Sequence, residues 1–210
     1  MSILDRLHES SVLPRRAQRL AAHLAEMIPQ NCTVLDVGSG DGRIDTLLLQ
    51  LRPDLKIHGV EVSTRTQASF PVIYFDGKIL PFEKQSFDVV MFVDVLHHTD
   101  DPLVLLSEAV RVARRAIVLK DHVMQGTFAS VRLRFMDHVG NARHGVALPF
   151  NYWTAQQWAE AEEGLELRQK HEIKKLNLYP WPADYVFGAN LHFIARYDLR
   201  RNELNNTHAK

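Results

Sequence analysis

Apolar residues fall along this chain in two spacings. Near-continuous runs occupy residues 33–38 (TVLDVG), 56–62 (KIHGVEV), 71–75 (PVIYF), 87–93 (FDVVMFV) and 116–120 (AIVLK). Such runs suit strands whose two faces are both covered. Between and before them the spacing is helical. Pro14 opens RRAQRLAAHLAEMI, where Ala17, Leu20, Leu24 and Ile28 share one stripe, so a helix is expected there with proline in its first turn. It is expected to pack on the sheet edge, with a pocket lid as the other role open to it. Residues 44–51 and 102–113 are further helices, the second with Asp100 or Asp101 as its N-cap. Beyond the fifth run come helical patterns at 127–139 and 154–163 and strand-like ones at 165–171 and 191–197.

Strand–helix–strand alternation of this kind predicts an α/β fold with an open parallel sheet covered on both faces. Ligands in such sheets bind outside the carboxyl ends of the strands. Residues 38–42, Glu61, Asp76 with Gly77, residues 94–98, and Asp121 with His122 all fall at such ends.

Composition narrows the classes. The 210 residues suit a single domain at 1–201, with a helical cap over about 1–30, an extra segment over about 122–153 and a polar tail at 202–210. Lysine plus arginine and aspartate plus glutamate both number 25, which argues against broad attraction to nucleic acid or anionic membrane. Cys32 is the sole cysteine, so no intrachain disulfide is possible and a reducing compartment is expected. No apolar run reaches the roughly 18–20 residues of a membrane span. Asp5, Arg6 and Glu9 stand where a signal peptide would need an apolar core. A cytoplasmic location is the expectation.

LDVGSGDG, from Leu35 to Gly42, places three alternating glycines between a strand and a helix. Bare backbone at a helix N-terminus lets a ligand approach unpaired amides. The dinucleotide fingerprint G-x-G-x-x-G would need glycine at position 43, which is Arg43. A pyrophosphate would also meet Asp36 and Asp41, whereas an aminocarboxylate bearing its own positive charge would tolerate them. Glu61 ends the second strand where an acid accepts hydrogen bonds from ribose hydroxyls, a feature common to both ligand classes.

The order LDVGSGDG, GVEV, FDGKILPFEKQSFDVVMFVDVLHHTDDP and SEAVRVARRAIVLKDH resembles class I S-adenosylmethionine-dependent methyltransferases, in particular the small-molecule type similar to ubiquinone/menaquinone-biosynthesis methyltransferases. The resemblance implies a three-layer Rossmann-like sheet, mostly parallel, seven strands with the last antiparallel. It implies S-adenosyl-L-methionine as cofactor, with Gly38, Ser39, Gly40, Asp41 and Gly42 bedding the methionine portion and Asp36 holding its amino group. Glu61 would bind the ribose. Asp76 with Gly77, and the backbone of Phe92 and Val93, would meet adenine, and His97 would stand near the sulfonium. Two departures stand out: only STRTQAS lies where the family has a helix before the third strand, and VARRAIVL replaces its Pro-Gly-Gly turn.

Methyl transfer from a sulfonium is an in-line displacement that needs a base only when the acceptor must lose a proton. His97, His98, Asp121 and His122 are the candidate catalytic groups. No metal site is expected, because adjacent side chains such as His97-His98 and Asp100-Asp101 diverge. The acceptor is expected to be a small molecule, apolar or aromatic with an acidic group. It would be met by a stripe of Phe128, Val131, Phe135 and Val139, by Arg132, Arg134 and Arg143, and by Tyr152 and Trp153. The segment from Leu178 to Gly188 is a candidate closure of that cleft. Two other readings stand beside this one: a nicotinamide-dependent oxidoreductase, and a non-catalytic protein that binds S-adenosylmethionine. The oligomeric state is not readable from the sequence.

Overall fold

Period-two alternation inside the apolar runs sets the architecture. The computed structural model describes residues 13–62, 71–141, 149–181, 183–188 and 190–200. In β4 (Phe87–Val93), Val90 and Phe92 enter one apolar cluster while Val89 and Met91 enter another. In β5 (Ala113–His122), Ile117 and Leu119 join the first cluster and Ala116 and Val118 the second. Each strand therefore supplies both faces, which is why its sequence shows no polar side.

The sheet has seven strands in the order β3-β2-β1-β4-β5-β7-β6. Its members are β1 (Thr33–Val37), β2 (Lys56–Glu61), β3 (Val72–Tyr74), β4, β5, β6 (Leu167–Ile173) and β7 (His192–Leu199). β7 runs antiparallel to both β5 and β6, while all the other pairings are parallel. This is the three-layer sheet that the family resemblance implied. β5 begins three residues earlier than its apolar core, because the preceding helix ends at Val112 and the chain passes directly into the strand.

Helix α1 (Leu13–Met27) buries Leu20, Leu24 and Met27 together with Val34, Leu48, Val89 and Met91. It thus covers a sheet face beside α2 (Arg43–Leu51), a correction to the expected edge position. The opposite face is covered by α3 (Pro102–Val112) and α5 (Ala155–Gly164), through residues such as Leu105, Ala109, Trp158 and Ala161. Asp101, one of the two expected N-caps, accepts from Leu103 N at 3.0 Å. Thr154 closes a capping box with Gln157 at the start of α5. At the free rim β6 exposes Arg168, Lys170 and Glu172, and β3 at the other rim is only three residues long.

α4 (Ala129–Asn141) departs from the sequence reading. Ala129 and Leu133 are buried against Tyr152 and Leu191, whereas Phe128, Val131 and Phe135 are 73%, 66% and 55% exposed. The inferred stripe faces outward. Val139, Arg143, the STRTQAS segment, the first part of the N-terminal cap and the 202–210 tail lie outside the residues, or the side chains, that are described. No described helix is long and apolar enough to cross a membrane.

Candidate functional site

β1 ends at Val37, and the chain then reverses through Gly38, Gly40 and Gly42, whose φ angles are 78°, 61° and 74°. Those left-handed values explain the alternation of glycine along the turn. Gly38 N and Ser39 N donate to Val60 O at 2.8 and 3.2 Å, tying the turn to β2. Glu61, only 7% exposed, accepts from Gly40 N at 3.0 Å and from Val62 N at 2.8 Å. Its carboxylate retains capacity for further donors. Asp41 accepts from Arg43 N at 3.0 Å and pairs with the Arg43 side chain at 3.4 Å.

Beneath the turn, Asp36 is 3% exposed and its Oδ1 lacks a hydrogen-bond partner, as does the buried Ser39 Oγ. Asp45, on the inner face of α2, is fully buried, and its carboxyl lies within hydrogen-bonding reach of that of Asp36. Burial pushes the Asp36 carboxyl well above the usual range, with Asp45 and Glu61 adding to the rise. Burial also pushes Asp45 up, to about 6. Buried polar atoms normally find partners, so Asp36 Oδ1 and Ser39 Oγ have capacity to accept from a donor-bearing cation. That feature fits the aminoacyl arm of S-adenosylmethionine.

Asp76 is exposed and caps its own turn, accepting from Lys78 N and Ile79 N at 2.8 Å each. Those bonds hold its carboxyl below the usual range. Gly77 has φ 79°, and a Cβ there would meet Val62 Cγ1 at 3.2 Å. The Phe92 side chain is fully buried in the core, so only its main chain can face a ligand, while Val93 is half-buried at the end of β4.

The carboxyl ends of β4 and β5 gather the four candidate catalytic residues. His97, in the short helical turn Leu96–His98, places Nδ1 2.7 Å from Asp121 Oδ1. Asp121 Oδ1 also accepts from His122 N at 2.7 Å, and Oδ2 accepts from Leu96 N at 3.1 Å. The His97 and His122 side chains hold the buried Asp121 far below the usual carboxylate range despite its desolvation. His122 Nδ1 lies 3.4 Å from His97 Nδ1, and Tyr152 stacks on His97 with ring centroids 5.4 Å apart. Burial and the neighbouring Lys120 push His122 down to about 4, so it is neutral at pH 7. The His98 ring lies 4.1 Å from that of His97.

A second, deeper group was missed by the sequence reading. Lys120 is fully buried and bonds Asp94, which also bonds Arg16 of α1. Lys120 Nζ stands 3.2 Å from His192 Nδ1, whose ring Nε2 in turn meets Phe187 O at 3.0 Å. The alternation of β5 and β7 puts Lys120, His122 and His192 on one face, with His122 and His192 directly paired across the strands. Asp94, His97 and His122 bring potential ligand atoms within 4.8 Å of one another. The Asp94 carboxylate, however, already meets two standing cations, Lys120 and Arg16.

A family model described as a methyltransferase domain matches residues 35–117. An uncharacterized methyltransferase of Mycobacterium sp. (strain JLS) is 31% identical over 158 residues, 67% of this chain and 62% of that protein. The 27-O-demethylrifamycin SV methyltransferase of Amycolatopsis mediterranei (strain S699) is 29% identical over 121 residues, 50% of this chain and 44% of that protein. The chain thus spans less than two thirds of these relatives' length. Among solved structures, a SAM-dependent methyltransferase from Aquifex aeolicus superposes with a TM-score of 0.60 at 15% identity, over 92% of this chain and 95% of that one. Geranyl diphosphate C-methyltransferase from Streptomyces coelicolor A3(2) gives 0.63 at 13%, over 85% and 74%.

Proposed function

We propose that this chain, which belongs to the class I S-adenosylmethionine-dependent methyltransferases, transfers a methyl group to a small-molecule acceptor by in-line displacement. The observation that carries the reading is the glycine turn itself, where Asp36 Oδ1 and Ser39 Oγ are buried without partners and Glu61 accepts from Gly40 N. S-adenosylmethionine supplies a methyl group on a positively charged sulfur. In this reading residues 38–42 bed its aminoacyl portion, Asp36 holds the ammonium and Glu61 takes the ribose hydroxyls. Asp76 keeps one carboxylate oxygen outside its turn for an adenine amino group, beside Gly77 and the main chain of Phe92 and Val93.

His97 is the proposed general base. Asp121 orients its ring through Nδ1, and an imidazole so held is suited to taking a proton from the acceptor. With its depressed affinity for protons, His122 shapes this pair rather than taking the proton itself, and His98 packs beside it. The segment from about 122 to 153 would line the acceptor space, with Tyr152 against the histidines and Arg134 5.3 Å above the Phe150 ring. A relative named for rifamycin and a structural neighbour named for geranyl diphosphate support a small-molecule acceptor, the balanced charge supports an acceptor other than nucleic acid, and the sole cysteine supports a reducing, cytoplasmic setting.

Calorimetric titration with S-adenosylmethionine and with NAD(H) tests the reading: the first should bind and the second should not. Binding without S-adenosylhomocysteine release across phenols, carboxylic acids and carbon acids would favour a non-catalytic role. Glu61→Ala should weaken cofactor binding by about 1–3 kcal/mol; unchanged affinity removes Glu61 from the ribose site. With an acceptor in hand, His97→Ala should lower turnover about 100-fold or more, and it should flatten the pH profile. His122→Ala should keep that profile's shape. Full turnover in the His97 variant dismisses the base.

A further inference from the structure

Strand alternation puts Asp36 on the same face of β1 as Val34, and the helical spacing of Asp45 and Leu48 turns Asp45 toward that face. The two carboxyls, 3% and 0% exposed, flank the glycine turn from below. The two side chains lie within hydrogen-bonding reach of each other, and no other side chain among the described residues donates to Asp36 Oδ1 or to either oxygen of Asp45. The charged groups acting on them are acids, Glu61 on Asp36 and Asp41 on Asp45. Among the described residues no cation compensates from above: α1 buries Ala17, Leu20, Ala21 and Leu24, and its Arg16 is committed to Asp94. Asp41 itself is matched by Arg43.

Two ionised carboxylates in such surroundings are prohibitively costly, so the free protein keeps a proton on the pair. We propose that Asp36 and Asp45 act as one proton-holding unit, and that the ammonium of the incoming methyl donor displaces that proton to solvent. The inference rests on the S-adenosylmethionine reading and adds Asp45 to it. Only a carboxylic O–H is broken; the ligand keeps all its bonds, and its positive charge replaces the proton's.

The test is calorimetry at about pH 6.5, below the range near 7.7–8.0 where an α-amino group itself titrates. Runs in buffers of differing ionisation enthalpy count the protons. S-adenosylmethionine should release about one proton, with affinity rising up to about tenfold per pH unit. Methylthioadenosine, which has no amino-acid arm, should release none. Asp45→Asn should release far fewer protons with S-adenosylmethionine while binding methylthioadenosine as the wild type does, which also reports that the site is folded. Donor binding without proton release, or with equal release in Asp45→Asn, overturns the proposal alone. Failure of both compounds to bind overturns the cofactor reading along with it.

Discussion

Asp94→Asn is expected to lower the unfolding free energy by about 3–5 kcal/mol. The carboxylate is the counter-ion of Lys120, which is fully buried, and of Arg16, whose side chain is 25% exposed. Arg16 can relax toward solvent, but Lys120 cannot. Asparagine keeps the shape and tolerates the left-handed backbone of Asp94, φ 57°, so the substitution isolates the charge. Desolvation already lowers the Lys120 ammonium from its ordinary value, with Asp94 opposing that shift; without Asp94 it falls further. A folded-state pKa below the unfolded one favours the neutral amine. The variant's deficit should therefore shrink as pH rises toward the ordinary lysine range and deepen as pH falls. In the wild type Asp94 is depressed well below a free carboxyl, so its contribution persists above the unfolded value and is lost only in acid. Urea unfolding at about pH 7 and 9 reads the first effect, and a further series below about pH 4 reads the second. Lys120→Met in the Asp94→Asn background should recover about 1–3 kcal/mol. A single variant within 1 kcal/mol of wild type would show that the buried ammonium is neutral in the native protein.

Gly38→Ala should cost about 2–4 kcal/mol and weaken S-adenosylmethionine binding by about tenfold or more, since the turn itself would have to move. A Cβ at this position lies 2.5 Å from Val95 Cγ2 and 3.2 Å from Cγ1, on a backbone with φ 78°. Val95 is β-branched and cannot simply rotate away. Adding Val95→Ala should return the steric share and leave the conformational one. Gly126→Ala supplies the reference: its φ is 89°, yet nothing lies within 4 Å of the added atom, so only about 1 kcal/mol of backbone strain is expected. Thermal unfolding of the three proteins measures these differences. Equal losses at positions 38 and 126 would exclude contact with Val95 as the cause.

How far the sequence was legible follows from the range of each interaction. Strands β1 and β4 are visible because burial on both faces leaves a near-continuous apolar run. The glycine turn, Glu61 and the Leu96–His98 turn were visible because they sit where such runs stop. In α4, period alone was ambiguous. Phe128, Val131 and Phe135 share one face, while Ala129, Leu133 and Met136 share another, and it is the second that meets Tyr152 and Leu191. Sequence spacing tells which residues lie together, not which face is covered. Lys120 was read as the end of a strand, since its counter-ion's second partner, Arg16, lies 78 residues from Asp94. Asp45 passed as an ordinary polar helix position, because its burial depends on α1 and β1 closing over it.

The two rims of the sheet bear on how the protein behaves in a crowded solution. A neighbouring chain seeking to extend the sheet at β6 would have to align its own main chain against Arg168, Lys170 and Glu172, and at β3 it would find only three residues to grip. Both borders thereby discourage templated stacking and fibre growth.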